Sequence, residues 1–129
     1  MKNLIFICLL LLSCYDNQEE GTGTSPSIEV FYYNGVMPSS NFVVGDTITA
    51  EIVIIDPDLN CETLNVKTTL NSVQIENYNL DIRPQTTSPT KRYIYNTYTT
   101  TGTYYVDFTV KDSKGNLSNV YHQFFNLTN

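Results

Sequence analysis

Apolar and polar residues alternate along most of the chain. The clearest alternation lies in residues 103–111, where Tyr104, Val106, Phe108 and Val110 occupy every second position. A period of two indicates a β-strand with one face buried and the other in solvent. Similar runs, separated by turn residues, predict seven strands, at residues 28–33, 47–55, 63–70, 73–82, 91–98, 103–111 and 118–127.

Two local features refine the predicted strand pairing. Asn71 and Ser72 lie between the third and fourth predicted strands, and such residues favour the tight turn of a β-hairpin. Within the fourth strand the apolar positions change parity between Ile75 and Tyr78, which predicts a bulge or a break. The fourth strand is therefore expected to be one irregular strand or two short ones.

The register of the last hairpin decides the surroundings of the single histidine, His122. One register places His122 on the outer face opposite Asp107, and a slip by one residue would bury it. We favour the first register because the residues it turns inward, Tyr121, Phe125 and Leu127, form the more apolar set. No serine or cysteine motif accompanies His122, so we predict no catalytic residue and no enzyme activity.

Composition agrees with a β-fold and narrows the function. The chain has 129 residues and a single alanine, Ala50, while threonine and tyrosine are abundant. Alanine leads the helix scale, whereas β-branched and aromatic residues suit strands. The length fits one small domain and excludes a multidomain enzyme. With 7 Lys and Arg residues and a net charge of -6, the chain lacks the basic clusters that bind nucleic acid.

The first residues have the pattern of an export signal. Lys2 supplies a positive charge, residues 4–12 are all apolar, and the small residue Ser13 precedes Cys14. The apolar run would span about 14 Å as a helix, which is too short to cross a membrane. The segment Leu11-Leu12-Ser13-Cys14 resembles the lipobox of bacterial lipoproteins. This resemblance implies that residues 1–13 are a signal peptide that is removed and that Cys14 is lipidated.

Residues 14–27 contain this cysteine and a polar segment rich in acidic residues, glycine, threonine and serine. A segment of this composition has little to bury, so we expect a flexible tether. Asp16, Glu19 and Glu20 resemble the acidic export signal of surface lipoproteins in some Gram-negative bacteria. We therefore expect a lipid-anchored protein of the bacterial outer membrane that faces the cell surface. The alternative is a domain that faces the periplasm.

Residues 28–129 are expected to form one domain, and its turns carry a family resemblance. Four segments together resemble bacterial Ig-like, PKD-like and cadherin-like β-sandwiches: Gly45-Asp46-Thr47-Ile48, Asp56-Pro57-Asp58, Gly102-Thr103-Tyr104-Tyr105-Val106 and Val110-Lys111-Asp112-Ser113-Lys114-Gly115-Asn116. The resemblance implies an all-β fold, an immunoglobulin-like antiparallel β-sandwich of about seven strands. It also implies that Tyr104 is a corner tyrosine, with its ring in the core and its hydroxyl bonded to nearby backbone.

Oxygen-bearing side chains cluster in the loop after the second predicted strand. Asp56, Asp58 and Asn60 alternate there, and hard oxygen ligands of this kind suit a calcium ion. In an Ig-like sandwich this loop lies at the same end as the turn with Asp112, which could supply a further ligand. The alternative is a plain turn in which the aspartates bond to backbone. We expect no cofactor, with calcium at these residues as the candidate exception.

Three tyrosines are candidates for ligand binding. Tyr93 and Tyr95 share one face of the fifth predicted strand, and Tyr105 points away from the core face of the sixth. Exposed aromatic rings stack on the apolar faces of sugars and act as hot spots in protein interfaces. The alternative is ordinary cross-strand packing. Because Ile94 and Tyr98 occupy the other face of the fifth strand, the sequence leaves open which face is buried.

These observations predict a lipid-anchored, non-enzymatic binding or adhesion module of the bacterial outer envelope, with a glycan or a protein as ligand. The alternative is a structural or accessory lipoprotein subunit of an envelope transport or polysaccharide-uptake complex. The expected partners are the membrane, reached through the N-terminal lipid, and the protein or glycan ligand. Nucleic acid is not an expected partner.

Overall fold

The computed structural model of the protein describes residues 23–129. The predicted signal peptide, the lipidation site Cys14 and the three acidic residues after it lie outside the described residues. In the part of the chain that the structure describes, no helix is long and apolar enough to cross a membrane.

Nine strands follow one another along residues 23–129, and they include all seven predicted strands, with ends that differ by no more than three residues. In chain order they are β1 (Ser27–Asn34), β2 (Met37–Pro38), β3 (Asn41–Val43), β4 (Ile48–Ile55), β5 (Cys61–Leu70), β6 (Val73–Asp81), β7 (Thr90–Asn96), β8 (Gly102–Asp112) and β9 (Tyr121–Thr128). The sequence pattern missed β2 and β3 because strands of two and three residues are too short to show a period.

The strands form two sheets that pack face to face as a β-sandwich, which confirms the predicted all-β, Ig-like fold. The four-stranded sheet has the order β2-β1-β4-β7, and the five-stranded sheet has the order β3-β9-β8-β5-β6. The neighbouring strands run antiparallel except β3, which pairs with β9 in parallel. Strand β4 is therefore the central partner of both β1 and β7.

Alternation along β4 and β8 builds the core between the sheets. Every second residue is buried, from Ile48 to Ile54 in β4 and from Tyr104 to Val110 in β8. Successive side chains of a strand point to opposite faces, so the residues between them face outward. The ring of Tyr104 stacks on that of Phe125 with a centroid distance of 4.9 Å. The core face predicted for residues 103–111 is confirmed.

Both predicted features of the β5–β6 hairpin are present. Asn71 and Ser72 form its turn with positive φ angles of 49° and 65°. The register of the two strands shifts between Thr68 and Thr69, so that Ile75 has no partner residue on β5. This is the predicted bulge, and β6 continues through it as one strand.

The register that we favour for the last hairpin is the one observed. Phe108 pairs with Tyr121 and Asp107 pairs with His122. His122 is exposed and contacts the Asp107 carboxylate on the outer face of the five-stranded sheet. The slipped register, in which His122 would be buried, is excluded.

The chain enters the sandwich at the end where β1 begins, which we call the entry end. The backbone N–H of Thr24 donates a hydrogen bond to Asp58 Oδ2 at 2.7 Å. The N–H of Ile28 donates to Asn119 Oδ1 at 3.0 Å, and Asn119 Nδ2 donates back to the Ile28 carbonyl at 3.2 Å. These contacts fix the first described residues against two loops of the entry end.

Tyr104 is the corner tyrosine that the resemblance implies, and its role is testable. Its hydroxyl donates to the Thr100 carbonyl at 2.6 Å, while the side chain is 1% exposed. We expect Tyr104→Phe to lower the free energy of unfolding by about 1 kcal/mol, the usual net value of one hydrogen bond. Tyr104→Ala should cost about 3–5 kcal/mol because it also leaves a cavity. Urea unfolding followed by circular dichroism measures both values.

The matched control is Tyr105→Phe, which removes a hydroxyl from the exposed neighbour and should leave the free energy of unfolding nearly unchanged. Equal losses for the Phe and Ala variants of Tyr104 would contradict the separate contributions of its ring and its hydroxyl.

Candidate functional site

The three candidate tyrosines lie on two different surfaces. Tyr93 and Tyr95 point outward from β7 on the four-stranded sheet, where they are 49% and 65% exposed. Tyr105 points outward from β8 on the five-stranded sheet. Because the outer faces of a sandwich lie on opposite sides of the domain, the three rings do not form one binding surface. Ile94 and Tyr98 pack against the core, which answers the question that the sequence leaves open.

Tyr93 and Tyr95 have two aromatic counterparts that the sequence analysis missed. Phe31 and Tyr33 point outward from β1 on the same sheet, with β4 between the two pairs. Two rows result across strands β1, β4 and β7: Phe31–Glu51–Tyr93 and Tyr33–Thr49–Tyr95. Neighbouring strands lie about 4.8 Å apart, so the aromatic residues of one row are about 9.5 Å apart. We call this surface of Phe31, Tyr33, Thr49, Glu51, Lys91, Tyr93 and Tyr95 the aromatic face.

A signal for the missed residues exists in the sequence. In β1 the inward positions Ile28, Val30 and Tyr32 alternate with Glu29, Phe31 and Tyr33. Both sets contain large apolar side chains, so the outward one is unusual for a surface that faces only water. This strand could have been paired with 91–98 as a second source of exposed aromatic rings.

A charged pair lies on the aromatic face, with Glu51 between Phe31 and Tyr93 and Lys91 in the next row, opposite Val53. Lys91 Nζ lies 3.2 Å from Glu51 Oε1, and the Glu51 side chain is only 15% exposed. The Glu51 carboxylate raises the pKa of Lys91, with smaller contributions from the Tyr93 and Tyr33 hydroxyls. Burial and the Glu51 carboxylate together raise the pKa of Tyr93. Glu51 is thus the main electrostatic partner of Lys91, and its carboxylate also acts on Tyr93.

The outer face of the five-stranded sheet, which we call the polar face, is organised differently. Asn65 Nδ2 donates to Asn77 Oδ1 and to Asn79 Oδ1, both at 2.9 Å. Thr103 Oγ1 donates to Asn126 Oδ1 at 2.8 Å. Such side chains bond to one another across the strands, as on many solvated sheets.

Two exposed rings interrupt the polar face. Tyr105 pairs with Phe124 across β8 and β9, with ring centroids 6.3 Å apart. Tyr105 also stacks beside His122 at 6.1 Å. This is a small cluster on an otherwise polar surface, and it lies away from the other candidate tyrosines.

The candidate calcium ligands lie together at the entry end, but they serve as turn residues. Asp56 is fully buried, and its carboxylate accepts hydrogen bonds from the backbone N–H groups of Asp58 and Asn60 at 3.1 and 3.0 Å. The buried thiol of Cys61 donates to the same carboxylate at 3.2 Å, and burial raises its pKa. A carboxylate used in this way has few lone pairs left for an ion.

Asp112 plays a similar part in the neighbouring turn. Its carboxylate accepts hydrogen bonds from the N–H groups of Lys114 and Asn116 and from Asn116 Nδ2, at 2.7 to 2.9 Å. Burial would raise the pKa of Asp112, but these hydrogen bonds outweigh it and hold the pKa below its ordinary value. Among residues 23–129, no group of three His, Cys, Asp or Glu side chains is arranged to hold a metal ion.

Comparison with known proteins places the fold. The sequence matches no protein-family model and no curated protein. The structure is similar to the PKD domain of an M14-like peptidase from Thermoplasmatales archaeon SCGC AB-540-F20, with a TM-score of 0.59 and 16% identity over 84% of this chain and 100% of that chain. It is also similar to the PmoD soluble domain from Methylocystis sp. ATCC 49242 (Rockwell), with a TM-score of 0.54 and 9% identity over 78% of this chain and 90% of that chain.

A CARDB domain from Pyrococcus furiosus, solved in complex with di-metal ions, has a TM-score of 0.44 and 12% identity over 80% of this chain and 92% of that chain. At these identities the likeness shows the fold alone, a PKD-like β-sandwich. The assignment of a binding surface therefore rests on the side chains of this chain.

The turn role of Asp112 predicts a pH dependence of stability. A carboxyl whose pKa is lowered by folding stabilises the fold above its unfolded pKa of 3.8, and this contribution is lost as the pH falls through the folded pKa. We expect Asp112→Asn to cost about 2 kcal/mol at pH 7, because the NH2 group that replaces Oδ2 cannot accept the hydrogen bond from Asn116 Nδ2. The difference between wild type and variant should shrink below about pH 4. Urea unfolding across this pH range measures it.

Asp58→Asn is the matched control, because its amide oxygen can still accept from the Thr24 N–H. Its effect on the free energy of unfolding should be small at every pH. A deficit of Asp112→Asn that stays constant down to pH 2 would show that the carboxylate charge makes no contribution.

Proposed function

We propose that this chain is a non-enzymatic, lipid-anchored binding module of the bacterial outer envelope that binds its ligand through the aromatic face. The observation that carries the proposal is the set of four aromatic side chains in two adjacent rows, with the Glu51–Lys91 pair beside them. Exposed apolar residues are ordinary when scattered, but a contiguous aromatic surface marks an interaction site. Tyrosine combines a large rigid contact area with a polar hydroxyl, which suits recognition.

The position of the aromatic face fits attachment through Cys14. The chain from Cys14 to Thr24 can span at most about 35 Å, so the entry end would stay within that distance of the membrane. Strand β1 runs away from the entry end, and its aromatic residues Phe31 and Tyr33 lie in its second half. The aromatic face would then stand clear of the lipid surface.

The described residues also favour binding over catalysis. His122 contacts the Asp107 carboxylate, and its ring stacks beside that of Tyr105 on an exposed sheet face. Cys61 is 1% exposed, and burial raises the pKa of its thiol, which opposes formation of the reactive thiolate. The similar archaeal structure is a PKD domain of an M14-like peptidase, and we propose a non-enzymatic binding role for the present domain.

Lipidation predicts a specific dependence on Cys14. We expect the full-length chain, expressed in a bacterium with lipoprotein processing, to incorporate an alkyne-labelled fatty acid and to partition into detergent. Cys14→Ser should lose both properties, because the acylated thiol is absent. Cys61→Ala is the matched control and should keep the label, because Cys61 is buried.

Label that persists in Cys14→Ser, or is absent from the wild type, would refute the anchor. The orientation is read from an epitope-tagged wild type treated with protease on intact cells. Digestion is the expected result, and digestion only after permeabilisation would indicate a periplasm-facing protein.

Binding of the ligand to the aromatic face predicts which positions of the domain can be photocrosslinked to it. We expect a photoreactive amino acid at Val53, which lies outward beside Glu51 on β4, to form an adduct in cells on illumination. The matched control is the same amino acid at Thr109, which lies outward on β8 of the polar face. Adducts are detected as a mobility shift of the tagged chain.

An adduct at Val53 and none at Thr109 is the expected pattern. Adducts at both positions or at neither would contradict the assignment of the binding surface. An adduct at Val53 that contains a stoichiometric envelope protein would favour the role of an accessory subunit of an envelope complex.

A further inference from the structure

The aromatic face carries the chemistry of a sugar-binding surface, and we infer that its ligand is a neutral polysaccharide lying across strands β1, β4 and β7. This inference rests on the proposed function, whose binding surface it shares. It names the class of ligand, which the fold and the comparisons leave open.

The spacing of the rings suits an extended chain of sugars. Each row has one aromatic side chain on β1 and one on β7, about 9.5 Å apart across the intervening strand. Along the strands the two rows are two residues apart, which is about 6.8 Å. The rings thus form separate stacking positions on an open surface rather than one closed pocket, and a polymer of rigid rings can occupy several of them.

The polar groups between the rings match the rim of a sugar. A pyranose has an apolar face of C–H groups, which stacks on aromatic rings, and hydroxyls around its edge, which need donors and acceptors. Glu51 supplies acceptors, Lys91 supplies donors and Thr49 supplies both. Glu51 and Thr49 lie between the rings of the two rows, and Lys91 reaches Glu51 from the neighbouring row.

The charged pair argues against an apolar protein partner. Glu51 and Lys91 are 3.2 Å apart, and Glu51 is already 85% removed from solvent by its neighbours. An apolar surface laid over this pair would remove the remaining water and would leave polar atoms without partners, which is costly. Sugar hydroxyls can replace that water with hydrogen bonds, so the same pair favours a glycan.

Charge further restricts the glycan. Glu29 and Glu51 point outward on this sheet against one cation, Lys91, which is already paired with Glu51. The whole chain carries a net charge of -6. This negative charge would repel an anionic polysaccharide, whereas it would not repel a neutral one.

The test uses the full-length chain in detergent micelles and two matched sets of polysaccharides. The neutral set comprises soluble β-glucan, mannan, galactan and starch, and the anionic set comprises alginate and polygalacturonate. Binding is measured by affinity electrophoresis in gels that contain each polymer. Tyr95→Ala and Glu51→Gln are compared with Tyr105→Ala, an exposed tyrosine on the polar face. Thermal unfolding confirms that each variant is folded.

The expected result is retardation by a neutral polysaccharide that is weakened about thirtyfold by Tyr95→Ala, the lower limit of a hot-spot loss, and weakened by Glu51→Gln. Tyr105→Ala should bind as the wild type does. Retardation by anionic polymers alone, or equal losses in Tyr95→Ala and Tyr105→Ala, would overturn the inference.

The adduct formed at Val53 separates this inference from the proposed function. Periodate cleaves the vicinal diols of sugars, so it should shorten a captured neutral glycan and reduce the size of the adduct. Protease should leave a captured glycan intact. An adduct that resists periodate and is digested by protease would overturn the glycan and leave the binding surface standing. The absence of any adduct at Val53, together with no retardation in the gels, would overturn both proposals.

Discussion

The register of the central strand β4 is the constraint on which the rest of the four-stranded sheet depends. Ile48, Ala50, Ile52 and Ile54 are buried against the core, so Glu51 must face outward. A slip of β4 by one residue would exchange these faces and bury the Glu51 carboxylate without water. The cost of burying an unpaired charge is several kcal/mol, so apolar burial and charge desolvation select the same register.

That register also decides what the outer surface contains. Pairing of Ala50 with Tyr32 and with Ile94 turns three apolar side chains inward in one row. The adjacent row, with Phe31, Glu51 and Tyr93, is then turned outward as a consequence. The stability of the core and the composition of the aromatic face are therefore set by one arrangement of hydrogen bonds. A change to the pairing of β1 or β7 would alter both.

The fold could be predicted from the sequence further than the surface could. Alternation located seven strands, and parity along β6 located the bulge at Ile75, because both depend on neighbouring residues. The aromatic face depends instead on the pairing of β1 and β7 with opposite edges of β4, although β1 and β7 are separated by more than fifty residues along the chain. Periodicity within a strand shows which residues share a face, but it does not show which strands are neighbours. For this reason the sequence predicts Tyr105, Tyr93 and Tyr95 as candidate binding residues without showing that they lie on different sheets.

Asp56, Asp58 and Asp112 illustrate a second limit of sequence reasoning. Side chains that suit a calcium ion also suit the backbone N–H groups of tight turns, since both are electron-poor partners of a carboxylate. In this structure the N–H groups of Asn60, Lys114 and Asn116 point at the carboxylates. The spacing of the acidic residues alone does not contain that information.

The two ends of β1 connect the proposed anchor with the proposed binding surface. Ile28 is held by Asn119 at the entry end, while Phe31 and Tyr33 lie about 10 and 17 Å further along the same strand. In the proposed function, a pull on a bound ligand would reach the lipid anchor along this strand. A pull applied through Tyr93 and Tyr95 on β7 would instead pass through β4 and shear the β1–β4 ladder, in which seven residue pairs, from Ser27–Ile55 to Tyr33–Thr49, share the load. A ligand held across the aromatic face would therefore load either the covalent chain of β1 or many hydrogen bonds of the β1–β4 ladder at once.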